Sequence, residues 1–192
     1  MIDADLSERG LRQALELGQL TEAWDPELVV CSPLTRALKT ALILFKKGPV
    51  VIHPGLAELS HQRNPIPENR GRSFGELLKD ASLQKLGLTH ARVTIDLIKD
   101  LGWPKPSPLD GFDFLRYREE ERIVIVSHHN FIQSKLRGVF NEYVENCEPI
   151  YASVSFSETK YHFEIHETPH HWCSTSGLSF GTSELAHTDA NA

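Results

Sequence analysis

The sequence predicts a layered α/β domain, helix–sheet–helix, on a mostly parallel sheet. Three observations carry this. Short apolar runs rich in β-branched residues recur at Leu28-Val29-Val30-Cys31, Val50-Val51-Ile52-His53 and Ile123-Val124-Ile125-Val126. Each is too short for a buried helix and reads as a strand. Stretches of helical periodicity alternate with them, the order expected of helices packed on a parallel sheet. The 192 residues, 40% hydrophobic and 24% charged, have the composition of one globular domain with a sizeable core.

Each element has a local reason. Ser7 is placed to cap a helix over 8–22, with Leu11, Ala14, Leu15 and Gly18 at helical spacing. Leu28–Cys31 is the first strand. A helix follows from Pro33 to about Phe45, with Ser32 as N-cap and Pro33 at the first helical position. Lys46-Lys47-Gly48-Pro49 ends it with basic residues and breakers. The second strand, Val50–His53, stops at Pro54-Gly55. Residues 60–75 are polar and hold Arg63, Pro65, Pro67, Arg70, Gly71 and Arg72, a long surface loop of the kind that often carries function. Helical periodicity returns over 74–86 and over 88–101. A second loop runs from Gly102 to about 121. Ile123–Val126 is the clearest buried strand, and a helix follows over 131–142. Val154–Phe156 and Tyr161–Ile165 alternate like a terminal hairpin. The domain thus covers 1–167, and residues 168–192, rich in Ser, Thr, Gly and His, read as a disordered tail.

Composition also excludes. The net charge of −6 and pI near 5.9, with no block of Lys or Arg, speak against nucleic-acid binding. No apolar run approaches the ~20 residues of a membrane span, and acids at Asp3, Asp5 and Glu8 do not fit a secretory signal. Cys31, Cys147 and Cys173 are far apart and form no disulfide framework. The expectation is a cytoplasmic protein with reduced thiols.

The residues that could carry chemistry lie where strands end. In parallel α/β sheets ligands collect at the carboxyl ends of strands, and Ser32 and Ser127-His128 both follow strands. A helix N-terminus favours anions, and Arg36 in the first turns of the second helix adds a guanidinium suited to phosphate.

Three segments then line up. Asp3-Ala4-Asp5-Leu6-Ser7-Glu8-Arg9-Gly10-Leu11-Arg12-Gln13-Ala14 resembles a D-x-x-L-[ST]-x-x-G-x-x-Q-A opening, Ser32-Pro33-Leu34-Thr35-Arg36-Ala37-Leu38-Lys39-Thr40-Ala41 an S-P-L-x-R-A-x-x-T-A motif, and Val126-Ser127-His128-His129-Asn130-Phe131-Ile132 a V-S-H-G-x-x-[IL] motif. Together, in this order, they resemble the histidine phosphatase superfamily, also called phosphoglycerate-mutase-like, over about residues 3–166. The resemblance implies that family's fold and hydrolysis of a small phosphate monoester through a phosphohistidine, without metal or cofactor. It implies that Arg36 clamps the phosphate and that His128 is a second pocket histidine contacting its oxygens. Glu58, in Gly55-Leu56-Ala57-Glu58-Leu59, would be the acid that protonates the leaving oxygen. The run after Glu58, Ser60-His61-Gln62-Arg63-Asn64, does not look like that of the glycolytic mutases and favours a phosphatase-like branch.

One departure stands out. The family's nucleophile lies in an R-H-G motif upstream of the D-x-x-L-[ST] segment, and these 192 residues contain no Arg-His-Gly. The expectation is therefore a phosphatase-like domain that lacks its nucleophile and its first central strand, a truncated form of an active enzyme. The alternative is a non-catalytic module, a pseudoenzyme that binds a phosphorylated ligand or a protein.

Plainer readings stand beside these. Arg36 alone would be a solvated helix arginine, and His128 alone a satisfied histidine at a strand end; the surrounding motifs favour the phosphate roles. Glu58 reads equally as the acid or as a solvated carboxylate. His129 and Asn130 read as caps of the following helix. Arg70 and Arg72 could hold a substrate's distal anion, though a flexible basic loop is the simpler reading. His170-His171-Trp172-Cys173 invites a metal, but no partner motif supports one and a disordered tail is the better reading.

Overall fold

The computed structural model describes residues 3–59, 67–89, 91–95, 112–158 and 160–167. The expectations for Arg63, Pro65, residues 102–111 and the tail with His170–Cys173 lie outside these. Among the described residues the elements are α1 Glu8–Leu20, β1 Leu28–Cys31, α2 Thr35–Leu44, β2 Val50–Ile52, α3 Phe74–Leu78, α4 Ala81–Lys85, β3 Val93–Ile95, β4 Ile123–Val126, α5 His129–Leu136, β5 Tyr151–Phe156 and β6 Tyr161–His166.

β1 to β4 form one parallel sheet in the order β3-β2-β1-β4. Parallel sheets are covered on both faces, and β1 shows it: Leu28, Val29, Val30 and Cys31 are all at most 1% exposed. Val29 and Cys31 face a layer with Leu38 and Leu42 of α2, Leu77 of α3 and Leu83 of α4. Leu28 and Val30 face the opposite layer with Leu56, Phe112, Phe114 and Phe131. Each fully buried leucine there contributes roughly 2 kcal/mol. β5 and β6 pair antiparallel as a separate two-stranded sheet, in register from Tyr151↔His166 to Phe156↔Tyr161. The domain is thus α/β, with helices flanking a four-stranded parallel sheet, consistent with a phosphoglycerate-mutase-like fold.

The structure differs from expectation at several elements. α2 starts at Thr35, not Pro33, and Leu34 stands at its N-cap with no side-chain cap. Ser32 instead accepts from the Leu34 N–H across 3.3 Å. The stretch 74–86 is two short helices. Ser73 and Glu76 form a capping box at α3, and the Asp80 carboxylate caps α4 through the Ser82 and Leu83 N–H groups. The stretch 88–101 is not one helix, because β3 occupies Val93–Ile95. Gly87, at φ +91°, ends α4 in a left-handed turn, with the Leu88 N–H donating to the Leu83 carbonyl and the Gly87 N–H to that of Gln84. The β-branched Val93 and Thr94 then pair with Val50 and Val51. β4 is half-buried along its length, because it has a strand partner on one side only, β1, among the described residues. His129 and Asn130 lie inside α5, which has His128 at its N-cap and no side-chain cap. The His129 ring bonds the Val144 carbonyl at 3.1 Å, so it ties down the following loop instead.

The start of the described chain is sewn to this frame. Asp3, at φ 55°, is 6% exposed. Its carboxylate accepts from the Thr35 N–H at 2.9 Å and from the Thr35 hydroxyl. Arg72 donates to it at 3.2 Å and to Asp80 at 2.9 Å, and also to the Thr35 hydroxyl at 2.7 Å. The Asp3 and Ala4 N–H groups donate to the Pro67 and Glu68 carbonyls, each at 3.3 Å. Removing one member of such a buried charged network leaves the others unpaired. Asp3→Ala is expected to lower stability by about 3 kcal/mol. Asp3→Asn keeps an acceptor and tolerates the positive φ, so it costs about half as much. Urea midpoints of the two variants check this order.

Candidate functional site

The site is assembled by strand register. Cys31 of β1 pairs with Val126 of β4, and the Ser32 N–H donates to the Val126 carbonyl at 2.9 Å. The chain therefore leaves both strands at one edge, and Ser32 and His128 meet there. The His128 Nε2 lies 2.7 Å from the Ser32 Oγ. Ser32 is fully buried and His128 is 7% exposed. The neighbouring Ser127 hydroxyl donates to the Leu56 carbonyl at 2.8 Å and ties this turn to the segment leading to Glu58.

Arg36 sits one residue into α2. Its guanidinium donates to the Glu68 carbonyl at 3.2 Å and to the Asn69 Oδ1 at 2.8 Å. Burial lowers its pKa, while the carboxylates of Glu58 and Asp3 oppose that, and the group stays charged. Burial pushes the His128 imidazole down to about 3, and the positive charge of Arg36 adds to the shift. Arg36 thus lies within electrostatic reach of both Glu58 and His128. Glu58 is half-exposed, and its carboxylate accepts from the Leu59 N–H at 2.8 Å.

The N-terminus of α2 is not left open to a ligand. The carboxylate at the N-terminus of α2 is that of Asp3, which accepts the Thr35 N–H. A charge that would otherwise be offered to a ligand is met from within the chain. The Arg36 guanidinium at this edge is held on neutral oxygens. Arg72 is bonded to Asp3 and Asp80, and Arg70 is exposed. Two open surface clefts lie elsewhere, one lined by Glu27 and Tyr117–Glu120, the other by Gly75, Leu78 and Leu88 among others. Among the described residues no group of His, Cys, Asp and Glu could hold a metal ion, and no helix is long and apolar enough to cross a membrane.

Sequence reasoning missed three partners. Ser32 reads locally as a helix cap, yet it bonds His128. Asn69 bonds Arg36 across 33 positions, and nothing local marks it. His53, 1% exposed at the end of β2, accepts the Gly55 N–H on Nδ1 at 3.1 Å and stacks near Phe114. Its position in a β-rich run before Pro-Gly signalled a strand end and no more.

A histidine buried neutral destabilises the fold as pH falls. The unfolded chain takes up a proton below its ordinary pKa near 6.5, and the folded chain does so only near 3. Between these values the unfolded state binds more protons, so stability drops by roughly 1 kcal/mol per pH unit. Denaturant titrations between pH 6.5 and 4 are expected to show that slope, and His128→Gln to remove it. The His128 ring resonances are expected not to titrate above pH 5.

The sequence model of the histidine phosphatase superfamily (branch 1) matches residues 1–64. The matched segment includes Asp3, Ser32, Arg36 and Glu58, and His128 lies beyond it. A search of curated proteins gives no match.

Proposed function

We propose that this phosphatase-like domain, whose residues 1–64 match the model of the histidine phosphatase superfamily, binds a small phosphate monoester between Arg36 and His128. The observation that supports this is the pairing at one sheet edge of a charged Arg36 with a buried, neutral His128. A phosphate ester is a compact anion with several acceptor oxygens. Arg36 supplies charge and paired N–H donors. His128, engaged through Nε2 with Ser32, offers Nδ1 as the nitrogen for a phosphate oxygen. Glu58 and Asp3 are the carboxylates whose charge reaches Arg36; Asp3 is buried and bonded to Thr35 and Arg72, so the proposed role of protonating a leaving ester oxygen goes to Glu58.

Turnover is a separate matter. Hydrolysis through a phosphohistidine needs a histidine nitrogen that attacks phosphorus while the alkoxide leaves with a proton from the acid. Water then cleaves the P–N bond. The 192 residues hold no Arg-His-Gly to supply that nitrogen at the family's usual place, and His128 is assigned to binding. The reading is a domain that binds phosphate esters and turns them over negligibly, with hydrolysis reserved for a form that carries the nucleophile.

Titration calorimetry with phenyl phosphate is expected to show binding. Arg36→Ala should weaken it by about 10- to 100-fold, the worth of a charge-assisted hydrogen bond. Hydrolysis of an aryl phosphate is expected to stay at the level of a His128→Ala control. Failure to bind would remove the proposal, and turnover that disappears in His128→Ala would show that this histidine does chemistry.

A further inference from the structure

Two arginines approach the N-terminal end of α2 from different segments, and their partners differ in kind. Arg72 spends its donors on the carboxylates of Asp3 and Asp80, at 3.2 and 2.9 Å. Its charge is met inside the protein. Arg36 donates to the Glu68 main-chain carbonyl and to the Asn69 side-chain amide oxygen, at 3.2 and 2.8 Å. Both acceptors are neutral. Among the described residues Arg36 makes no hydrogen bond to a carboxylate.

That difference has a physical consequence. A guanidinium has five N–H donors in a rigid plane. Anchoring two of them fixes the plane and removes rotamer freedom that an anion would otherwise have to freeze out. Anchoring them on neutral oxygens leaves the net charge for a ligand. A carboxylate at the same place would hold the guanidinium as well or better, but it would compete with the anion.

The holding segment is itself fixed. Pro67 and Glu68 accept from the Asp3 and Ala4 N–H groups, and the Arg70 N–H donates back to the Pro67 carbonyl at 3.0 Å. Asn69 lies inside the short 3-10 turn Pro67–Asn69, half-buried. Arg72, two residues beyond Arg70, locks the far end to Asp3 and Thr35. The amide of Asn69 is therefore delivered to Arg36 on a support tied to the same helix start.

We propose that Asn69 is a positioning residue for the anion site, holding the Arg36 guanidinium on a neutral oxygen so that its charge stays available to phosphate. This rests on the reading of Arg36 as the phosphate ligand. It also explains the residue type, since an amide and a carboxylate are the same size and differ here only in charge.

The test compares Asn69→Asp, Asn69→Ala and Arg36→Ala with the unaltered chain, reading both thermal midpoint and calorimetric affinity for inorganic phosphate. Asn69→Asp is isosteric and keeps the Oδ1 acceptor. It is expected to leave the midpoint unchanged or raised, and to weaken phosphate at least tenfold. Asn69→Ala is expected to weaken phosphate about threefold, from lost preorganisation alone. A merely structural asparagine would give the two readouts the same sign. Asn69→Asp with unaltered affinity, or with midpoint and affinity lost together, overturns the proposal. Absence of phosphate binding by the unaltered chain overturns the reading of the site itself, and this inference with it; binding lost in Arg36→Ala but kept in Asn69→Asp overturns the inference alone.

Discussion

The Asp3 carboxylate against the first turn of α2 is the contact on which the rest of the site depends. Leu34 at the N-cap has no side-chain acceptor to offer, so α2 begins with donors that need one from elsewhere. Asp3 supplies it from 32 positions away in the sequence, and Arg72 balances the charge. The same contact brings the Asp3 and Ala4 backbone beside Pro67 and Glu68. Three separated segments, around residues 3–4, 35–36 and 67–72, become one unit. Arg36 inherits its position from that unit, and the favourable field at the helix end is used for cohesion within the chain.

Much of the frame was legible because its causes are local. The runs at β1 and β2 are β-branched, apolar and bounded by breakers, and they fold as read. Ser7 caps α1 by accepting from the Gly10 N–H at 3.1 Å. The placing of Ser32 and His128 at one edge follows from parallel strands that share a register. What escaped was set by distant partners. Ser32 and Pro33 carry every local sign of a helix start, yet the Asp3 carboxylate takes the capping role and Ser32 turns to His128. Residues 88–95 carry helical periodicity, but Gly87 turns the chain and the open side of β2 offers Val93 and Thr94 a ladder. Asn69 has no local signature at all, because what matters is an oxygen set against an arginine 33 positions earlier.

The two arginines make the same point about residue type. Arg36 and Arg72 are equal in charge and in donors, and only their acceptors separate them. Carboxylates turn Arg72 into a fastener between segments. Neutral oxygens hold Arg36 without a carboxylate in its hydrogen bonds, and Glu58 and Asp3 act on its charge only through space. Residue type alone does not distinguish these roles, since both side chains are the same guanidinium.

His128 completes the electrostatic logic. Burial is the larger cause of its low pKa and the charge of Arg36 the smaller. An anion beside Arg36 would offset the smaller cause, and an anion oxygen in contact with the ring would itself favour its protonated form. In the free protein the imidazole is held uncharged by burial, a directional hydrogen-bonding group on a ring that Ser32 engages. In the proposed complex charge and direction are divided between two residues, Arg36 early in α2 to draw the anion and His128 just after β4 to orient it.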